Sequence, residues 1–331
     1  MTDHWDPAKL LETSGSYWQG SALQAAVRLD IFSHLSAASV PAEGLAALLD
    51  CDRRSLQMLL RALAAMGLLE KDRSGYRCAE PVRSWLDANS SQYLGHIIRH
   101  HQHLVESWSR LDQAVRSGQP QRQRSSYAED EWRNDFLLGM HNLSSLLAPQ
   151  LVPRIPLQNP QRLLDVGGGP GTWSLHFCRQ HPQLQATVFD LPASEPIFRA
   201  NVANSPLSER LQFVGGDFLQ LPLGAGFDVA WLSHVLHGEG PENAAALVRQ
   251  AADALAAGGT LLIHEFILND EDEGPLYPAL FSLNMLLGTE QGQSYSEAEL
   301  VQMCQAAGLV DCVRIGLPEQ LKSGVISARK P

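Results

Sequence analysis

The stretch Leu163-Leu-Asp-Val-Gly-Gly-Gly-Pro-Gly-Thr172 constrains this chain more than any other. Strand-forming residues run into Gly167, Gly168, Gly169 and Gly171, and a helical pattern follows over 173–179, which predicts strand, tight turn and helix. A turn this sharp needs positive φ, and bare backbone lets a ligand approach without meeting a Cβ. The following helix N-terminus adds free N–H groups and partial positive charge. In an α/β sheet such a turn marks the ligand crevice at the carboxyl ends of the strands.

The spacing separates two kinds of ligand. Asp165, Gly167, Gly169 and Gly171 give acidic-x-G-x-G-x-G, and Thr172 stands where the dinucleotide pattern has its third glycine. An acid at the strand end suits a ligand carrying an ammonium and a sulfonium and repels a pyrophosphate, so S-adenosylmethionine fits better than NAD. Asp190 closes the apolar run 184–189, where a second parallel strand sets a carboxylate beside ribose hydroxyls; a turn cap before Pro192 is its other reading.

The chain has 331 residues, enough for two domains. Its net charge of −11 opposes a nucleic-acid partner, because phosphate binding rests on clustered Lys and Arg. The five cysteines, Cys51, Cys78, Cys178, Cys304 and Cys312, form no C-x-x-C pair and fit a reducing compartment. With no signal-like N-terminus and no run of about 18 apolar residues, a cytoplasmic enzyme without a membrane partner is expected.

Residues 8–35 carry apolar positions at helical spacing and predict two helices. Two more helices and a hairpin turning at 72–75 predict a winged helix. Its DNA-binding reading would use Arg53, Arg54 and Arg61. The lack of a basic wing and the acidic whole favour a scaffold for dimer contacts and for roofing a pocket. Residues 91–118 predict an amphipathic helix bearing His96, His100, His101 and His103, without Cys or Asp at matching spacing to complete a metal set. A polar loop is expected over 117–133 and a helix over 135–151. Strands are expected near 162–166, 185–189, 211–215, 227–233, 260–267, 311–316 and 324–328, alternating with helices as in a parallel sheet with an antiparallel edge.

Chemistry gathers at the strand ends. Asp217 and Phe218 arrive where an adenine can be held, the acid accepting from an exocyclic amine and the ring covering one face; a strand cap and a core Phe are the plainer reading. His237 lies just before a glycine-bearing loop, where a neutral imidazole can take a proton near working pH; His234 reads as structural. Glu265 is an acid inside an apolar strand, expensive to bury unless paired, and able to orient the imidazole of His237 through its other nitrogen. His264 falls on the opposite face.

Taken together, Asp165-Val-Gly-Gly-Gly-Pro-Gly-Thr172, Gly216-Asp217-Phe218, His234-Val-Leu-His237, Leu255-Ala-Ala-Gly-Gly-Thr-Leu-Leu-Ile-His-Glu265 and Gly324-Val-Ile-Ser-Ala-Arg-Lys resemble the class I S-adenosylmethionine-dependent small-molecule O-methyltransferases of caffeic acid and hydroxyindole type. The resemblance spans essentially the whole chain. It implies a Rossmann-like seven-stranded sheet preceded by a winged-helix dimerisation domain: residues 1–90 for dimerisation, 91–155 a helical linker lining the substrate pocket, 156–331 the catalytic domain. It implies a cofactor set of Asp165, Gly167, Gly169, Asp190, Leu191, Asp217, Phe218 and Ser233. It further implies His237 as general base with Glu265 as companion, and substrate contacts from Phe136, Met140, His141, Asn284 and Met285. No metal is expected. The chain departs from the family after the base, where Gly238-Glu239 replaces Asp-Trp, and at Ser233, where a basic residue is common. The activity implied is methylation of a hydroxyl on a small aromatic or natural-product molecule by a homodimer. The alternatives are a relative that binds the cofactor without methylating, and a cofactor-sensing DNA-binding regulator.

Overall fold

A computed structural model describes residues 5–203, 205–271, 274–318 and 321–331. The chain forms two compact units that divide between Leu104 and Val105. The division falls inside the helix Gly95–Trp108, beyond the expected boundary at residue 90, because Ile98 packs on the N-terminal core. Of the residues expected as a separate linker, 105–155 fall in the second unit, where Ala148, Leu151 and Val152 join one of its cores.

In the first unit, a break at Ser16 and Asp30 at φ 52° divide the 8–35 region into three helices, Pro7–Gly15, Tyr17–Arg28 and Ile31–His34, where two were expected. The helices Ala42–Leu48 and Arg53–Ala65 lead into a hairpin of β1 (Leu69–Lys71) and β2 (Tyr76–Cys78), the predicted winged helix. Leu45, Leu60, Leu63 and Tyr76 close its core.

In the second unit, the expected helix over 91–118 ends at Trp108, and a separate helix Leu111–Ser117 stops at Gly118, whose φ of 66° suits a left-handed C-cap. The segment 119–129, read as a plain loop, carries a 3-10 turn, Ser125–Tyr127, and hands over to the helix Asp130–Leu151. Seven strands follow: β3 (Arg162–Val166), β4 (Gln185–Asp190), β5 (Leu211–Gly215), β6 (Phe227–Ser233), β7 (Leu255–Glu265), β8 (Val310–Ile315) and β9 (Gly324–Arg329). Their order is β5-β4-β3-β6-β7-β9-β8, parallel except that β9 runs antiparallel to both β7 and β8. The order reverses between β3 and β6, so the crevice opens beyond their carboxyl ends.

Each sheet face has its own core, as a parallel sheet buried on both sides requires. One face holds Leu247, Val248, Ala251, Leu300 and Cys304 from two helices, and the other holds Phe177, Phe198 and Leu151. Trp231 is wholly buried, with Trp173 and Phe177 at 5.1 and 5.2 Å between ring centroids. No helix among the described residues is long and apolar enough to cross a membrane.

Candidate active site

The glycine turn adopts the left-handed backbone its sequence demands, with φ of 67° at Gly167, 48° at Gly169 and 71° at Gly171. A Cβ on Gly167 would lie 2.5 Å from Val235, and one on Gly171 2.7 Å from Phe198, so the turn is closely packed on both flanks. Above Gly169 the nearest atom to an added Cβ is Leu137 Cδ2 at 3.6 Å. Asp190 closes the turn by accepting from Gly169 N at 2.7 Å, Leu191 N at 2.7 Å and Ser194 Oγ at 2.9 Å. Burial raises the pKa of Asp190 against the lowering effect of these bonds. An open turn without Lys or Arg, rimmed by a carboxylate, fits the sulfonium and ribose of S-adenosylmethionine.

Asp165 differs from the expectation. It is fully buried beneath the turn, where Oδ2 accepts from Ser174 Oγ at 2.7 Å, and burial pushes its pKa up to about 7. A Cβ on Gly168 would sit 2.6 Å from its carboxyl carbon. Asp165 therefore supports the turn from below and is not exposed to a ligand. Ser233 also departs from its expected cofactor role: its hydroxyl engages His264 Nδ1 at 2.9 Å, while Ser323 Oγ meets Nε2 at 2.8 Å. A wholly buried imidazole needs partners on both nitrogens. Asp217 caps its own turn, accepting from Leu219 N and Gln220 Nε2, both at 2.9 Å, and Phe218 packs against the core. Both are half-buried just beyond the carboxyl end of β5.

On the other side of the crevice, His237 Nδ1 lies 2.7 Å from Glu265 Oε2. Glu265 Oε1 accepts from the backbone N–H of Leu236 at 2.9 Å and of His237 at 3.3 Å. Burial by itself would raise the pKa of Glu265; the adjoining His237, with lesser help from His234, outweighs it and holds the carboxyl below its ordinary range. An ionised carboxylate only accepts, so Nδ1 of His237 carries the hydrogen and Nε2 keeps its lone pair. His234 Nδ1 lies 3.6 Å from Glu265 Oε2, beyond hydrogen-bond distance, and burial lowers its pKa. These three residues are the group with metal-ligand spacing found among the described residues. His96, by contrast, is engaged by Arg99 at 2.8 Å along its own helix.

An aromatic collar adjoins the dyad. Phe281 stands edge-on to the His237 ring at 4.7 Å, Phe266 lies 4.6 Å from Phe281, and Tyr277 lies 4.9 Å from Phe266. Of the expected substrate residues, Asn284 follows Phe281 by one helical turn, and Met285 is buried. Leu137 reaches the glycine turn, and Phe136 and Met140 occupy the adjoining stripe of its helix, half-buried. His141 departs from the expected set: its Nδ1 is 2.8 Å from Thr172 Oγ1, in a groove of about 380 Å³ shared with His176, Arg179 and Asn201. Helix spacing turns it to the same side as Leu137, toward the outer flank of the glycine turn.

Sequence reasoning missed the segment 119–128. Arg124 Nη1 is 2.6 Å from Glu239 Oε1 and 3.3 Å from the Gly238 carbonyl, directly after His237. Tyr127 sits within the field of Asp217, Arg124, Glu239 and Asp190, and burial raises its pKa ahead of those charges. Nothing in the local pattern signals these contacts. The departure at Gly238-Glu239 was the available clue, because a buried acid needs a cation. Breaking the pair with Glu239→Gln is expected to raise the acceptor KM about 3- to 10-fold, since Arg124 is a third exposed and screened. Steady-state kinetics on the variant checks this.

An O-methyltransferase domain family matches residues 108–310, and an O-methyltransferase dimerisation domain matches residues 11–86. The chain is 31% identical over 330 residues to 3-hydroxy-5-methyl-1-naphthoate 3-O-methyltransferase of Streptomyces sahachiroi, covering 98% of this chain and 95% of that one. It is 31% identical over 343 residues to the tetracenomycin polyketide synthesis 8-O-methyl transferase TcmO of Streptomyces glaucescens, covering all of both. The solved structure of PigF with SAH superposes with a TM-score of 0.87 at 27% identity, over 98% of this chain and all of that one. A cofactor turn, a seven-stranded sheet and relatives matched from end to end converge on one conclusion: the chain belongs to the S-adenosylmethionine-dependent O-methyltransferases.

Proposed function

We propose that the chain methylates a hydroxyl on a small aromatic molecule, with His237 as general base and Glu265 as its anchor. The observation that carries this reading is the 2.7 Å contact between His237 Nδ1 and a buried carboxylate, which leaves Nε2 basic beside an aromatic collar. When bound, the cofactor supplies an electrophilic methyl whose leaving group is a neutral thioether. His237 Nε2 takes the hydroxyl proton as the acceptor oxygen attacks, and Glu265 stabilises the imidazolium that results. The Phe266, Tyr277 and Phe281 rings hold a flat acceptor and keep water from the reacting oxygen. One relative matched nearly end to end carries a hydroxynaphthoate in its name, which supports this class.

The test is radiolabelled methyl transfer to a panel of phenols and naphthols, in wild type and His237→Ala. Full activity in the variant removes the base assignment, and transfer to no phenol removes the acceptor class. Because a neutral leaving group needs no Lewis acid, EDTA treatment is expected to leave turnover unchanged, as a chelator titration of the rate will show.

The working unit we propose is a homodimer formed through the N-terminal unit. There Leu10, Leu11, Tyr17 and Trp18 are each more than 60% exposed, more apolar surface than a solvated helix face carries. Sedimentation is expected to give a dimer, and Leu11→Glu with Trp18→Glu a monomer. The free state of all five cysteines supports a reducing, cytoplasmic setting.

A further inference from the structure

The groove of about 380 Å³ on the outer flank of the glycine turn is lined by none of the crevice residues, neither the turn glycines, nor Asp190, nor the His237–Glu265 pair. Two helices and a turn build it. On the helix Thr172–Gln180, Thr172, His176 and Arg179 recur at the spacing of one helical face. His141 and Ser145, four apart on the helix Asp130–Leu151, face them, and Ser205 follows the helix Glu195–Val202.

The floor of the groove is satisfied from within. Buried Thr172 meets His141 Nδ1 at 2.8 Å, and Asn201 Nδ2 donates to the Pro170 carbonyl at 2.7 Å. The rim is not. Arg179 is exposed and its Nη1 donates to His176 Nδ1 at 3.4 Å, while Nε and Nη2, which form the other edge of the guanidinium, have no partner among the described residues. A guanidinium only donates, so His176 accepts at Nδ1 and carries its hydrogen on Nε2, a second donor. Burial, then the adjoining Arg179 and His141, push the pKa of His176 down to about 4, which keeps this ring neutral at pH 7. Ser205 Oγ accepts from Leu207 N at 3.2 Å and retains its own hydrogen to give. No Asp or Glu lines the groove, in a chain that has 36 of them against 25 Lys and Arg. A cation finds no counter-charge there, and an oxyanion finds only donors.

We propose that this groove is a second ligand site, which holds the phosphate group of a small monoester on Arg179 and His176 Nε2, apart from the cofactor and the acceptor. The free Nε and Nη2 edge gives the parallel pair of N–H groups that two phosphate oxygens accept. A carboxylate has only those two oxygens, in one plane. Phosphate turns a third toward His176 and the hydroxyls of Ser145 and Ser205, which come from other elements. The space exceeds that of a bare ion and takes a small organic remainder as well.

The probes are inorganic phosphate and ribose 5-phosphate, titrated calorimetrically into protein saturated with S-adenosylhomocysteine so that the crevice is filled. Ribose and ribonate are the neutral and carboxylate controls. Ribose 5-phosphate is expected to saturate in the millimolar range or below, with ribonate about 10-fold weaker and ribose silent. Arg179→Gln, a change at an exposed position, should weaken the phosphate about 10-fold, and Arg179→Lys should restore part of the loss. Ser145→Glu sets a carboxylate on the facing wall and should abolish binding, with S-adenosylhomocysteine affinity retained in every variant. The proposal is overturned if neither phosphate saturates below about 10 mM on the wild-type protein, a result that needs no variant to fold. Equal binding of ribonate also overturns it, by reducing the groove to general anion attraction. Binding that survives both Arg179→Gln and Ser145→Glu would place the phosphate elsewhere and overturn it too.

Discussion

Turnover of the His237→Ala enzyme is expected to fall by roughly 10²- to 10⁴-fold, the usual worth of a positioned base, with S-adenosylhomocysteine affinity unchanged. Cofactor binding survives because the glycine turn and Asp190 lie on β3 and β4, separate from the loop that carries His237 after β6. Glu265→Gln should approach the same loss by a different route. The amide can keep a bond to Leu236 N but cannot hold Nδ1–H against a negative charge, so the wrong tautomer becomes accessible.

The shift at Glu265 bears on pH dependence, because burial would raise its carboxyl pKa and the adjoining His237 outweighs that, holding it below the ordinary value of 4.5. The same shift has a sign for stability. A carboxyl whose pKa is depressed on folding stabilises the fold above its unfolded value near 4.5 and loses that contribution as pH falls further. Glu265→Gln should therefore flatten the acid side of the unfolding curve. Chemical denaturation between about pH 3 and 6 measures this, and an unchanged pH dependence would mean that folding leaves the Glu265 carboxyl unshifted.

The second large effect is expected at Asp190. Asp190→Asn keeps the shape of the side chain but removes its charge and presents N–H to Gly169 N, where Oδ2 now accepts at 2.7 Å. With the ribose proposed to lie against Asp190, removing the charge there should weaken cofactor binding about 100-fold. Stability should move the other way or not at all. Burial raises the pKa of Asp190, so ionising it costs folding free energy, and that cost appears as pH rises from 3.8 through the raised value. Calorimetric titration with S-adenosylhomocysteine beside a thermal melt is the measurement. Tight binding by a stable Asp190→Asn protein would remove Asp190 from the cofactor site.

The sequence by itself determined the parts governed by near neighbours. The glycine turn was legible because positive φ at three closely spaced positions strongly favours glycine. The strands were legible because a sheet buried on both faces writes continuous apolar runs, and β3, β5 and β6 fall where the pattern placed them. Glu265 was conspicuous for the same reason, a charge in a run that otherwise excludes water. Tertiary structure decided the partners. Arg124 meets Glu239 across 115 positions and Arg122 meets Asn284 across 162, separations over which no periodicity carries information. It also decided which way a side chain faces. Asp165 turned beneath the glycines, Ser233 turned to a buried imidazole, and His141 turned to the outer flank, because each buried polar group is claimed by whichever partner the packing brings within 3 Å.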